Sequence, residues 1–186
     1  MKQNDLILVI DMQNVYTKNQ AWACLDTEGI AKRIVALTER TTSQTVMLTE
    51  YLPAENPTGT WRDYNSVYAD INGNAWLNEL VPDMQQLAKR YPLYCKSTYS
   101  SMSIPFIREQ ARKADRVVLT GVVAECCVLY TALEAMDMGC KVIYLKDCVS
   151  GFTKEKEAAT ELILSGLSPL HVLIMTKEAY LNEGLS

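Results

Sequence analysis

Histidine is almost missing from this chain. A single one, His171, occurs in 186 residues, which excludes a histidine-rich metal site. Long hydrophobic runs are missing too. No apolar stretch approaches the ~20 residues of a membrane span, so no membrane partner is expected. The start, Met1-Lys2-Gln3-Asn4-Asp5, leads into a run of only about five apolar residues, too few for a secretory signal. A basic run is also lacking. The formal net charge of −4 argues against a nucleic-acid or anionic-membrane partner. The densest charge cluster, at 154–157, alternates in sign and reads as a solvated helix start. Six cysteines (Cys24, Cys95, Cys126, Cys127, Cys140, Cys148) lack the density and spacing of a disulfide framework. Reduced thiols in a cytoplasmic protein are the expectation. There is no internal repeat, low-complexity segment or linker, so residues 1–186 are read as one domain.

What is present is alternation. Short apolar runs occur at 6–10, 45–48, 92–95, 117–119, 142–145 and 171–175. Continuous runs of this kind mark strands buried on both faces. Helical patterns lie between most of them. Asp26 or Thr27 can cap a helix carrying Ile30, Ile34 and Leu37. Residues 104–113 form another, with Pro105 in its first turn. Thr153 can cap a third, with Ala158, Ala159, Leu162 and Ile163 on its apolar face and Gly166 at its end. Residues 76–84 suggest a brief helix or turn around Pro82. Segment 50–74 shows no clear period; a loop of that length is functional or conceals a short helix. The expected fold is a three-layer α/β/α sandwich around a mostly parallel six-stranded sheet, since parallel strands need crossovers.

In such sheets ligands bind beyond the carboxyl ends of the strands. Asp11, Glu50, Lys96 and Asp147 follow apolar runs, and Cys127 opens the helix after the run at 117–119. A thiol at a helix N-terminus beside an ammonium is favoured as thiolate, and the helix amides can hold a developing oxyanion. Asp11 suits proton transfer and Lys96 suits charge stabilisation. Each residue also has a plain structural reading: a packed cysteine, a strand-end aspartate, a terminal lysine. Position alone does not choose between them.

The segment 121–128 (GVVAECCV), with Thr131, Ala132 and Ala135, resembles the cysteine signature of the isochorismatase-like hydrolase superfamily. Nicotinamidases, N-carbamoylsarcosine amidohydrolases and ureidoacrylate or biuret hydrolases share that signature. Residues 8–14 (LVIDMQN) look like its N-terminal strand, 96–101 (KSTYSS) like its lysine motif, and 146–150 (KDCVS) like a further strand end. The resemblance implies a catalytic triad of Asp11, Lys96 and Cys127, with Cys126 structural. It implies a cis peptide between Val122 and Val123, with the backbone amides of Val123 and Cys127 as oxyanion hole. It implies thioester chemistry on a small amide, ureide or carbamoyl compound, without a cofactor, in a homo-oligomer. The stretch 49–57 (TEYLPAENP) has no histidine, so the metal site of nicotinamidases, and with it nicotinamidase activity, is not expected. True isochorismatases generally lack the nucleophilic cysteine, so Cys127 argues against vinyl-ether cleavage, which remains the alternative beside a thiol redox or interaction module. Substrate contacts are expected from Tyr16, Trp22, Trp61, Tyr64 and Arg62, the last as a clamp for a carboxylate.

Overall fold

The strand β1 (Leu6–Ile10) is buried along its whole length and runs through the middle of the molecule. Burying a Leu, Ile or Val side chain contributes about 1.5–3 kcal/mol, so five such residues in a row commit the segment to the interior. The computed structural model describes residues 4–183; Met1-Lys2-Gln3, where the reading of the N-terminus begins, lies outside the described residues. After β1 come α1 (Thr27–Arg40), β2 (Thr45–Tyr51), α2 (Thr60–Val67), α3 (Ala69–Asn72), α4 (Ala75–Asn78) and α5 (Pro82–Ala88). Then follow β3 (Leu93–Lys96), α6 (Pro105–Lys113), β4 (Val117–Val122), α7 (Leu129–Asp137), β5 (Val142–Ser150), α8 (Lys154–Ser165), β6 (Val172–Met175) and α9 (Lys177–Glu183).

The six strands form one sheet in the order β3-β2-β1-β4-β5-β6, and every pairing is parallel. Both faces are covered, as a parallel sheet requires. Ile30, Ile34 and Leu37 of α1 pack with Met84 and Leu87 of α5 and Tyr180 of α9 on one face. Ile107 of α6, Ala132 and Ala135 of α7 and Leu164 of α8 pack on the other. The architecture is the expected three-layer α/β/α sandwich. None of the helices among the described residues is long and apolar enough to cross a membrane.

Asp26 caps α1, its Oδ1 accepting the Gly29 amide at 3.2 Å, and Thr153 caps α8 through the Lys156 amide at 3.3 Å. Several local expectations change. Segment 50–74 holds two helices, α2 and α3, neither with a buried residue. The brief helix or turn expected at 76–84 is two helices, α4 and α5, separated by an extended Glu79. The strand expected at 142–145 continues through Lys146 and Asp147 to Ser150. On α8 the expected apolar face is outward: Leu162 is 75% and Ile163 50% exposed, while Thr160 and Leu164 turn inward. A ninth helix, α9, follows the last strand, where the apolar pattern ended the chain.

Candidate active site

The strand order reverses direction between β1 and β4, which opens a crevice at their carboxyl ends. Asp11 stands one residue past β1, and Cys127 lies in a turn of π-helix, Ala124–Val128, between β4 and α7. Such turns recur at functional sites. Lys96 ends β3, two strands from β1, and its long side chain crosses over β2 to reach them.

The three side chains meet. Lys96 Nζ lies 2.6 Å from Asp11 Oδ2 and 3.4 Å from Cys127 Sγ, and it donates a third hydrogen bond to the Thr98 carbonyl at 3.0 Å. An ammonium has three protons, so each has an acceptor. The side chains of Asp11 and Lys96 are wholly buried, and Cys127 is 4% exposed. Thr49 of β2 donates to the second Asp11 oxygen at 2.8 Å, and the Asp11 amide donates to the Thr49 carbonyl at 3.0 Å. Asp11 sits at φ +51°, a left-handed conformation that aspartate tolerates better than most residues. The π turn is fastened from behind: Thr131 Oγ1 donates to the Cys127 carbonyl at 2.6 Å and accepts the Ser101 amide at 2.9 Å. The Val122–Val123 peptide is cis.

Electrostatics modify the expectation for the thiol. Burial pushes the Cys127 thiol well above its ordinary range, the Asp11 carboxylate pushes the same way, and Lys96 opposes both. Burial and the hydrogen bond to Asp11 thus both favour the protonated sulfur, against Lys96. For Lys96, burial alone would lower the pKa, but Asp11 and Cys127 together raise it, so the ammonium is held charged.

Aromatic side chains cover the three. Trp22 contacts the rings of Tyr16, Tyr51, Tyr64 and Tyr68, with centroids 5.2–6.5 Å apart. Trp61 and Tyr64 of α2 contact each other at 5.2 Å and both reach Tyr99. Tyr16, Trp22, Trp61 and Tyr64 are therefore brought together as expected, but Arg62 is not. It lies exposed on α2, off the ring-bearing face. Asp147 is also elsewhere: inside β5, its Oδ1 accepts the Lys177 amide at 2.7 Å and its carbonyl accepts Arg33 Nε. Glu50 lies within β2, half-buried, its carboxyl pushed up by burial and then by Asp11. Cys126 packs partly buried against the core beside α1, and all six cysteines are free. Among the described residues no three His, Cys, Asp or Glu side chains group as metal ligands.

Sequence reasoning missed Thr49, Tyr51 and Tyr99. Thr49 and Tyr51 alternate along β2, two residues apart, so the period of a strand could have put both on Asp11's side. Tyr99 had no such signal.

A family model described as "Isochorismatase domain" matches residues 5–168. No curated protein matches significantly. Among solved structures, a cysteine hydrolase from Pseudomonas syringae superposes with a TM-score of 0.79 at 17% identity, covering 98% of this chain and 92% of its own. An isochorismatase-like hydrolase from Alkaliphilus metalliredigens gives 0.72 at 21%, covering 97% and 98%. A pyrazinamidase/nicotinamidase from Streptococcus mutans gives 0.71 at 21%, covering 92% and 100%. With that domain spanning most of its length, the chain belongs to the isochorismatase family.

Proposed function

We propose that the protein is a cysteine-dependent hydrolase of a small non-peptide amide, ureide or carbamoyl compound, acting through a thioester. The observation that carries this reading is the sealed contact of Asp11, Lys96 and Cys127, a proton acceptor, a fixed cation and a nucleophile within bonding distance. Vinyl-ether hydrolysis has no need of a thiol so placed.

The proposed cycle uses the three side chains in turn. A substrate carbonyl settles against Sγ of Cys127. Asp11 takes the thiol proton as sulfur attacks, and Lys96 stays charged beside both. The raised thiol pKa gives this transfer its role, because burial and Asp11 both favour the protonated sulfur. The carbonyl oxygen becomes an oxyanion, which the backbone amides of Val123 and Cys127 receive. The C–N bond then breaks, and protonated Asp11 gives its proton to the leaving nitrogen. Water enters in place of the amine, loses a proton to Asp11 and attacks the thioester. The acid leaves and the thiol is restored.

The test is ammonia release from a panel of small amides and ureides, run on the wild type and Cys127→Ala side by side, with intact-mass analysis for an acyl adduct. Turnover should vanish in Cys127→Ala, and the adduct should map to Cys127. Full turnover by Cys127→Ala would overturn the thioester reading.

A further inference from the structure

We propose that Glu125 is a positioning residue for Cys127: its carboxylate ties the π turn to the connection between β5 and α8 and so holds the Cys127 sulfur against the Lys96 ammonium. The inference rests on the hydrolase reading for the reaction Cys127 performs, but the tie stands on separate contacts.

The turn is gripped from two sides. Within it, the Cys126 amide at 3.0 Å and the Val128 amide at 3.2 Å both donate to one carbonyl, that of Val123. This wide geometry is rare, so its shape depends on what holds it from outside. Thr131 holds the α7 side, at the Cys127 carbonyl. Glu125 holds the other. Residues two apart on a helical turn do not face each other. Cys127 meets Lys96, while Glu125 meets the loop after β5. Its Oε1 accepts the Phe152 amide at 3.3 Å and lies 3.5 Å from Lys156 Nζ. A carboxylate accepting from a backbone amide makes a charge-assisted bond, roughly twice as strong as a neutral one.

The mooring point is itself fixed. Glu157 of α8 accepts the Gly151 amide at 2.7 Å and the Ser150 hydroxyl at 3.1 Å. Ser150 Oγ accepts the Asp26 amide at 3.1 Å, and the Gly151 carbonyl accepts the Leu25 amide at 3.0 Å. Residues 150 and 151 are thereby pinned to α8 on one side and to the segment before α1 on the other. Ser150 also pairs with Val122, the last residue of β4. Glu125 therefore spans from the Cys127 turn to a rigid point beside the strand that leads into it.

Gly151 shows how closely the tie is fitted. A Cβ there would stand 2.5 Å from the buried Glu125 Oε2, 3.0 Å from Glu157 Cγ and 3.2 Å from Ala124 Cβ. The nearest atom is the far end of a flexible side chain. A methyl at 151 would push the carboxylate aside at small cost to the fold. Gly151→Ala thus breaks the tie while Glu125 stays in the chain.

Two readouts test the tie. Ammonia release from the small-amide panel gives kcat and KM. Alkylation of Cys127 by iodoacetamide at pH 8, mapped by peptide mass, reads the sulfur without any hydrolysis. Glu125→Ala and Gly151→Ala should each lower kcat by ~10²-fold, the scale of a displacement near 1 Å, and leave KM within about 2-fold. Both should slow alkylation about 10-fold, since a sulfur moved off Lys96 loses the cation that favours thiolate. Glu125→Gln should keep both values near wild type, because its amide oxygen still accepts from Phe152. A brace that serves only the fold would lower the melting temperature and leave kcat of the folded protein unchanged, and that result overturns the inference. So does a raised KM at constant kcat, faster alkylation, or an equal loss in Glu125→Gln and Glu125→Ala. A wild type that turns over no amide, with alkylation following the expected pattern, sustains the inference and sinks the hydrolase reading. Amide turnover and alkylation that survive Glu125→Ala unchanged do the reverse. A wild type showing neither alkylation at Cys127 nor turnover overturns both.

Discussion

Asp11 and Lys96 form a pair that neither can leave cheaply. Each is fully buried, and each is the other's main compensation for lost hydration. Replacing Lys96 with methionine strands the carboxylate with only the Thr49 hydroxyl and the Cys127 thiol as donors. Breaking one side of such a pair costs about 3–5 kcal/mol, so Lys96→Met should lower the urea midpoint sharply. Asp11→Asn should cost less stability, because Lys96 can shed its proton, but should cut kcat by ~10²–10⁴-fold through loss of the proton acceptor. The double variant, Asp11→Asn with Lys96→Met, should be more stable than the sum of the singles by ~0.5–3 kcal/mol. Equilibrium urea denaturation of the four proteins measures that coupling. Additive losses would mean that the 2.6 Å contact carries no energy of its own.

At the scale of elements, the Cys127 turn depends on where β4 meets β1. Gly121 pairs with Ile10 in the register and has φ +106°. A Cβ there would collide with the carbonyl oxygen of Ile10 and lie 2.6 Å from its amide nitrogen, both backbone atoms with no room to yield. Gly121→Ala should therefore destabilise the fold by about 2–4 kcal/mol and displace the Cys127 turn. Thermal melting reads the first effect. Loss of acyl adduct at temperatures where the variant remains folded reads the second. The run before Gly121 was legible in the sequence because it is continuous and apolar. β5 was legible only in its first half, since Lys146 and Asp147 interrupt the pattern while the backbone pairing continues after a register shift between Leu119 and Gly121. α2 was hidden because its inward stripe is Trp61, Tyr64 and Tyr68, aromatic and half-exposed, with no aliphatic period to betray a helix. The face of α8 was misjudged for the opposite reason. Leu162 and Ile163 advertise burial, but the helix contacts the sheet through Thr160 and Leu164. For the triad, the strand-end rule placed the residues at one rim. That Lys96 crosses β2 to reach Asp11 depends on the order β3-β2-β1, which the linear sequence does not carry.

Across the whole molecule, the Asp11–Lys96–Cys127 cluster and a second buried ion cluster sit at opposite ends of the sheet. At the amino ends of β1 and β4, Arg116 grips Asp5 with two hydrogen bonds, at 3.0 and 2.7 Å, and Glu183 at 2.6 Å. The Tyr180 hydroxyl adds a bond to Asp5 at 2.7 Å, so the cluster locks α9 onto the sheet. Tyr180→Phe removes one hydrogen bond to a charged group and should cost ~1.5–3 kcal/mol in urea denaturation, with kcat/KM unchanged. Alkaline pH should act on the molecule more generally. Burial raises the thiols of Cys24, Cys127 and Cys148, the last to about 12, where Asp147 adds to the rise and Arg33 and Lys177 oppose it. An unfolded cysteine titrates near ~8.5. A folded pKa above the unfolded one means that the folded state holds the proton longer. The stability is then fully present below about pH 8.5 and drains away as pH rises toward the folded values. Lys96, also raised, acts in the same sense at higher pH. The urea midpoint should therefore decline progressively above about pH 8.5. Cys148→Ala should shorten that decline, because its side chain has no proton to lose, even if the substitution itself lowers stability at neutral pH. A midpoint that holds constant from pH 8 to 10, or a slope identical in Cys148→Ala, would show that the buried thiols do not govern the alkaline limb.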